Sequence, residues 1–408
     1  MNIFKIRNTI ILILLSLAPI LNIGEVSSLI RGDMQAAFWF TTPLYIKLIK
    51  DVGFLVIILM SIPLLFKAEK TMRNATVIFL AVLTTFILIL FIISYRNNPV
   101  QAVAGLRWAV PLFLTAIMVG TIDDNIMVEM ARIIAVVFLI SLSVQLYEFF
   151  KLNPWSAPHI SLQVLLKYVL SHPWVGGIFI LYNTAGFFAC VTMFLVYFYI
   201  RKCAFRLTTL ILIPFSLFLA TSGTGIPVYI LSNYIILLKG KLTLINLSVF
   251  FIIVLLIISP LSFLRGGDVT KSSSVVLRAK YFSDSIKEAG LISRQFGRGT
   301  NAAVLYSQKF KTQNAGLILD STVTAIVANM GILGFLFAAL LYIVWVTLVL
   351  ISKRLDAIIF TFIYSVFSIT APIMEAFPMN LIFAVCVAYF TPVIFLRRRG
   401  TSKCLKTR

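Results

Sequence analysis

Apolar runs of near-membrane length recur from Thr9 to Leu396, and no other feature of this sequence constrains its fold as tightly. A span needs about 20 predominantly apolar residues to cover roughly 30 Å of hydrocarbon. Twelve segments approach that length: 9–23, 51–66, 75–94, 100–120, 132–150, 175–200, 207–221, 225–238, 242–264, 318–351, 357–371 and 380–396. Of the 408 residues, 60% are hydrophobic and 12% charged, and the mean hydropathy is +1.02. Soluble domains sit near about 45–50% apolar and about 25% charged. A soluble core could not absorb that excess, so the expectation is an all-α polytopic membrane protein with the bilayer as its main partner. The stretch 9–23 is shaped like a signal peptide's apolar region but lacks a small-residue cleavage site after it, and is read as the first span.

The net charge of +21 does not call for nucleic acid, because Lys and Arg gather in the cytoplasmic segments of membrane proteins. An even number of spans puts both termini on one side. The tail Arg397, Arg398, Arg399, Lys403, Lys406 and Arg408 marks that side as cytoplasmic, and Lys67, Lys70, Arg73, Arg201, Lys202, Arg206, Lys239, Lys241, Lys353 and Arg354 then share it. Two places could change the parity: 207–238 as one broken span, and 318–351 as a re-entrant piece plus a full helix. Cys190, Cys203, Cys386 and Cys404 form no C-x-x-C pair, so neither a disulfide framework nor a zinc site is encoded.

Two extracytoplasmic loops are substantial. Gly24–Lys50 carries Arg31, Asp33 and Trp39 and reads as an amphipathic surface segment. The larger, 265–317 between the ninth and tenth spans, belongs to the single integral domain 1–408. It holds Arg265, Lys271, Arg278, Lys280, Lys287, Arg294, Arg298, Lys309 and Lys311 against Asp268, Asp284 and Glu288. A basic excess on this side runs against the topology trend and points to an anionic ligand, the plainer reading being a solvated loop of random charge.

Ionisable groups at membrane depth are costly and functional by default. Arg107 lies seven residues into the fourth span, roughly 10 Å down at 1.5 Å per residue. It reads either as a ligand group or as the structural partner of Glu148 at similar depth, and Glu148 itself either as an interfacial carboxylate or as a catalytic one. Asp320, opening the tenth span, is either a helix N-cap or a base. Thr221-Ser222-Gly223-Thr224-Gly225 joins two short apolar segments and fits either a cavity lining or a tight turn. His159 and His172 read as loop histidines. Arg107, Glu148, Ser222, the basic loop and Asp320 thus share the outer half, where a pump or channel would place its charges at the midplane.

The stretches Ser274-Val275-Val276-Leu277-Arg278, Phe296-Gly297-Arg298-Gly299, Asp320-Ser321 and Asn329-Met330-Gly331-Ile332-Leu333-Gly334, with Ala104-Gly105-Leu106-Arg107 and Ser222-Gly223-Thr224-Gly225, resemble the O-antigen ligase and polymerase superfamily over nearly the whole chain. Ligases of that family carry His where this chain has Asp320, which favours the O-antigen polymerase (Wzy-type) branch. The resemblance implies a glycosyltransferase C type membrane fold in the bacterial inner membrane and undecaprenyl-diphosphate-linked oligosaccharides as substrates. It also implies a membrane chain-length regulator as partner. Under it, Asp320, Arg107 and Arg278 are the candidate catalytic groups, with Arg298, Arg265, Arg294, Glu148 and Ser222 binding substrate; neither cofactor nor metal is expected. The competing readings are a ligase transferring glycan to lipid A–core, a polysaccharide flippase, which would show internal symmetry, and a purely structural assembly partner.

Orientation is directly testable. Reporter fusions after Ser293 are expected to behave as periplasmic and fusions after Lys403 as cytoplasmic. A cytoplasmic signal at Ser293 would move every named group to the wrong face.

Overall fold

The computed structural model describes residues 3–31, 42–152, 175–179, 182–201, 203–220, 223–239, 280, 282–287, 289–294, 296–297 and 321–396. Among these the chain is all-helical. The helices are α1 (Ile3–Ser16), α2 (Ile23–Ile30), α3 (Leu44–Leu65), α4 (Lys70–Tyr95), α5 (Pro99–Ile117), α6 (Asp124–Tyr147), α7 (Tyr182–Tyr199), α8 (Ala204–Ala220), α9 (Gly225–Leu237), α10 (Thr322–Ser352), α11 (Leu355–Thr370) and α12 (Met379–Leu396). Eleven of the expected apolar segments overlap these helices, and 242–264 lies outside the described residues. The loop 32–41, His159, His172, the tail 397–408 and most of 265–317 lie outside them too.

Burial sorts the helices into a centre and a belt. Helix α7 is buried all round, from Ala185 through Val196, as expected of a helix that is apolar on every face. It touches α6, α8, α9 and α11. Aromatic packing locks it to α11: Phe187 stacks on Phe367 at 4.5 Å and meets Tyr364 edge-on at 5.0 Å, and Phe194 lies 5.8 Å from Phe360. The inner face of α12, from Met379 to Phe390, is buried beside them. At the periphery, α4 exposes Ile78, Val82 and Ile92, and α10 exposes Leu336, Leu340 and Ile343. Soluble monomers rarely expose apolar patches above a few hundred Å². Five helices are long and apolar enough to cross a membrane, six if the bent α1–α2 pair counts as one. The protein is membrane-embedded.

Two boundaries differ from expectation. Helix α3 starts at Leu44 rather than 51, which brings Lys47 and Lys50 into the helix with Asp51. The loop expected over Gly24–Lys50 is therefore shortened at both ends, since α1 bends by 43° into α2. As expected, α8 and α9 are separate short helices, and the carbonyl of Gly225, at the start of α9, accepts the Cys190 thiol at 3.4 Å halfway along α7. Finally, α10 is broken at Gly331, where φ is 78° and ψ −176°. That region of backbone space is essentially restricted to glycine.

A second, smaller core lies at the end of the bundle where α4 finishes and α5 begins. Leu83, Ile87, Leu90, Trp108, Ala109, Phe296, Ala325, Met330 and Met374 meet there. It ties α4, α5, the 289–297 segment, the start of α10 and the α11–α12 connection into one block. At the opposite end Arg354 grips Asp356 at 2.5 Å and Tyr389 donates to Asp124 at 2.6 Å.

The break supplies a stability test. A Cβ on residue 331 would lie 2.7 Å from both the Leu291 carbonyl oxygen and the Ser293 nitrogen. With the positive φ, Gly331→Ala is expected to destabilise the fold by about 1–3 kcal/mol, read as a lower Tm of the purified protein in detergent. A wild-type Tm for Gly331→Ala would mean that the break itself is not the constraint.

Candidate functional site

The break at Gly331 frees two backbone donors, and the 289–297 segment supplies their acceptors. The N–H of Ile332 donates to Gly290 O and that of Leu333 to Leu291 O, both at 3.1 Å. In the hydrocarbon layer each unmet group would cost several kcal/mol, so the segment is fixed where the helix needs it. Further bonds extend the seam: Ser293 Oγ donates to Ala328 O at 2.7 Å and Gly297 N to the Asn329 side-chain oxygen at 2.8 Å. On the other flank Phe296 N donates to Ser94 Oγ at 2.8 Å.

Helix α5 closes the block. Gly297 has φ 94°, and a Cβ there would collide with the Gln101 carbonyl; one on Gly105 would come within 2.5 Å of the Phe296 ring. Three of the motif stretches, Ala104–Arg107, Phe296-Gly297 and Asn329–Gly334, therefore meet at one end of the bundle.

Beside that block sits a charged cluster. Arg107 approaches Asp51 through Nε, at 3.0 Å from Oδ2 and 3.2 Å from Oδ1. Its two Nη groups make no hydrogen bond among the described residues, although the side chain is only 29% exposed. The Lys50 ammonium lies 3.9 Å from Asp51 Oδ1 and 6.0 Å over the Phe377 ring. Arg107, Asp51, Glu375 and Lys47 all contribute to the field at Lys50. One turn earlier in α3, Lys47 pairs at 2.6 Å with the buried Glu25, which also accepts the Thr42 hydroxyl. The arrangement is a partly enclosed arginine fork next to a lysine. Planar bidentate donors of this kind suit carboxylate or phosphate oxygens.

The alternative reading of Arg107 as the ion-pair partner of Glu148 is not borne out, since Arg107 pairs with Asp51. Glu148 is buried at the end of α6 and accepts the backbone N–H of Gly177 at 3.1 Å. One turn back, Gln145 donates to Val175 O at 3.3 Å and accepts from Ser216 Oγ at 2.7 Å. Glu148 thus anchors the 175–179 turn that leads into α7, and equal depth in two spans did not make neighbours. Arg294 contributes its carbonyl to Asn97 at 3.5 Å, and its side chain is exposed, without contact to Arg107. Asp320, Arg278, Arg298, Arg265 and Ser222 lie outside the described residues. The N-cap of α10 is Ser321, whose hydroxyl accepts Thr324 N–H at 3.0 Å, so the capping role expected at 320 belongs to its neighbour.

The sequence reading missed Glu25, Lys47, Lys50, Asp51 and Glu375. Three of these were assigned to a loop or to its boundary by starting the second span at 51. Spacings of three and four residues from Lys47 to Lys50 and Asp51 were the available signal of one helix face. Among the described residues no three of His, Cys, Asp and Glu converge as metal ligands would. No protein-family model matches the chain, and no curated protein shows significant similarity to it.

Capping and chemistry at the start of α10 can be separated. Ser321→Ala removes the observed cap and is expected to lower stability by about 1 kcal/mol. Asp320→Asn should leave Tm unchanged. A larger loss of Tm from Asp320→Asn than from Ser321→Ala would overturn this assignment.

Proposed function

We propose that this chain is an O-antigen or related surface-polysaccharide polymerase that joins undecaprenyl-diphosphate-linked repeat units at the periplasmic face of the bacterial inner membrane. The observation that carries the reading is the half-engaged Arg107 fork beside Lys50, mounted against three converging motif stretches at one end of an apolar helical bundle. The reading takes twelve spans with both termini cytoplasmic and 265–317 as the large periplasmic loop.

In this reaction the acceptor hydroxyl attacks the anomeric carbon of the growing glycan, and the carbon–oxygen bond to the lipid diphosphate breaks. Negative charge then develops on the departing diphosphate. Fixed cations aimed at that charge lower the barrier without reorganising. Arg107 offers two parallel donors and Lys50 a point charge, while Asp51 holds the Nε edge and so orients the fork. Arg278 and Arg298, from the basic loop, are proposed as further phosphate ligands, and a membrane chain-length regulator as the partner. The chemistry needs neither cofactor nor metal, because the cations are supplied by side chains.

In the host, deletion of the gene is expected to leave lipopolysaccharide with core plus one repeat unit. Core alone would point to a ligase or flippase instead. Arg107→Ala at normal abundance should reduce long chains by roughly 10²–10³-fold, the range found when one transition-state donor is removed. Arg107→Lys keeps the charge without the fork and should recover part of the activity. Full chain lengths from both variants would end Arg107's role in the reading.

A further inference from the structure

A second polar recess lies at the end of the bundle opposite Arg107, and the reaction proposed above does not use it. A cavity of about 760 Å³ opens between the start of α6 and the turn that joins α7 to α8. We propose that it holds one phosphatidylethanolamine molecule of the surrounding bilayer, with the phosphate and ammonium of its headgroup at the rim and an acyl chain along α6. The inference needs only the membrane-embedded fold and stands independently of the polymerase reading.

The polarity of the recess changes with depth. Asn125, Val128, Glu129, Arg132 and Val136 line it from α6, and their spacings of three and four residues put them on one helix face. Asp124 opens the helix, and Val136 lies roughly 18 Å beyond it at 1.5 Å per residue. Ile200 and Phe205 complete the apolar part of the lining. Arg132 starts deeper than the other charges, roughly 12 Å from Asp124. Helical side chains lean toward the N-terminus, however, and its Nη1 reaches Glu129 Oε1 at 2.6 Å, one turn nearer the rim. A ligand with a charged end and an aliphatic tail matches that gradient, as a lipid held between helices does.

The rim charges balance in number without satisfying one another. Asp124 accepts the Tyr389 hydroxyl at 2.6 Å through Oδ1, and its Oδ2 is unpaired among the described residues. Glu129 is engaged through Oε1 alone, and Arg132 through Nη1 alone. The exposed Arg201 guanidinium has no partner among the described residues. Two open carboxylate oxygens and two open guanidinium groups lining one cavity suit a ligand that carries both signs. Arginine matches the phosphodiester, and a primary ammonium brings three N–H donors to the carboxylates. A phosphatidylglycerol headgroup would supply the anion but leave both acids facing neutral hydroxyls. A choline headgroup has the cation but no N–H to donate.

The recess is braced from several sides. Arg206 donates its N–H to Cys203 Sγ at 3.4 Å and its Nη2 to Tyr197 O at 3.0 Å, which fixes the turn next to Arg201. Tyr199, on the same wall, donates to Asp356 at 3.3 Å, and Asp356 is gripped by Arg354. With Tyr389 holding Asp124, the rim is tied to α7, α11 and α12.

Native mass spectrometry of the delipidated full-length protein reads binding directly, with dioleoyl forms of phosphatidylethanolamine, phosphatidylglycerol and phosphatidylcholine offered at equal concentration. One phosphatidylethanolamine is expected to bind roughly 10-fold more tightly than either other lipid, the size of one charge-assisted hydrogen bond, and to raise the Tm in detergent. Arg201→Gln should keep the lipid-free Tm and lose about 10-fold in phosphatidylethanolamine affinity. Asp124→Asn can still accept the Tyr389 hydroxyl, and should lose most of the preference for phosphatidylethanolamine over phosphatidylglycerol. Equal binding of the three lipids would overturn the proposal, leaving an ordinary lipid contact. A preference for phosphatidylglycerol would overturn it in favour of a plain anion site. Wild-type affinity in Arg201→Gln, or undiminished discrimination in Asp124→Asn, would equally remove these residues and the site with them.

Discussion

Two hydrogen bonds from Ile332 and Leu333 to the carbonyls of Gly290 and Leu291 hold the end of the bundle together. A helix in lipid cannot be interrupted unless something meets its freed donors, because water is absent. Glycine in a helix interior costs only about 1 kcal/mol relative to alanine, whereas an unmet backbone group in hydrocarbon costs several. The larger quantity decides the geometry. Once 290–291 is bound to the break, Ser293 and Gly297 fall opposite Ala328 and Asn329, and Phe296 enters the space beside Gly105. The smaller core, the position of α5 and the depth of Arg107 follow from that placement.

Three ionisable groups within the bundle show how structural and ligand-binding charges can be told apart. Arg7 is fully buried at the opposite end, yet it is satisfied by neutral oxygens: Thr121 Oγ1 and O at 2.6 Å each, and Asn8 at 3.2 and 2.8 Å. Both edges of its guanidinium are occupied, and it clamps the segment after α5. Glu148 is met by a backbone N–H and pins a turn. Arg107 alone of the three is engaged on one edge, by an opposite charge that fixes its direction and leaves its fork open. Burial combined with incomplete satisfaction, rather than burial by itself, separates this arginine from the other two groups.

Much of the helical layout was legible because apolar runs of about 20 residues have few other uses. The limits of that signal were also physical. Lys47 and Lys50 interrupt the run that becomes α3, so a boundary drawn by hydropathy falls at Asp51, although the helix starts at Leu44. The charged cluster lay across that boundary. Depth along a span says nothing about azimuth, which is why Arg107 and Glu148, similar in depth, face different neighbours. The motif glycines could be quoted from the sequence. Their reason could not, since a positive φ at 331 and a contact of 297 with Gln101 depend on partners far away in the chain. Glu375 stood in a connection with no pattern of its own.

The broken helix also explains how one element serves two environments. Thr322–Met330 spans nine residues, roughly 14 Å at 1.5 Å per residue. It is packed against the loop segment and the α11–α12 connection. Ile332–Ser352 spans twenty-one residues, roughly 32 Å, enough to cross the hydrocarbon alone. This second part exposes Leu336, Leu340, Tyr342, Ile343 and Val344 around its girth, as a lipid-facing helix does. An unbroken helix of 31 residues would have to tilt or protrude by more than a turn. The kink at Gly331 instead lets the first nine residues pack against the protein, where Ser321 caps them and Thr322 holds the α11–α12 connection. The α11–α12 connection is therefore tied to the same break that the Gly290 and Leu291 carbonyls stabilise.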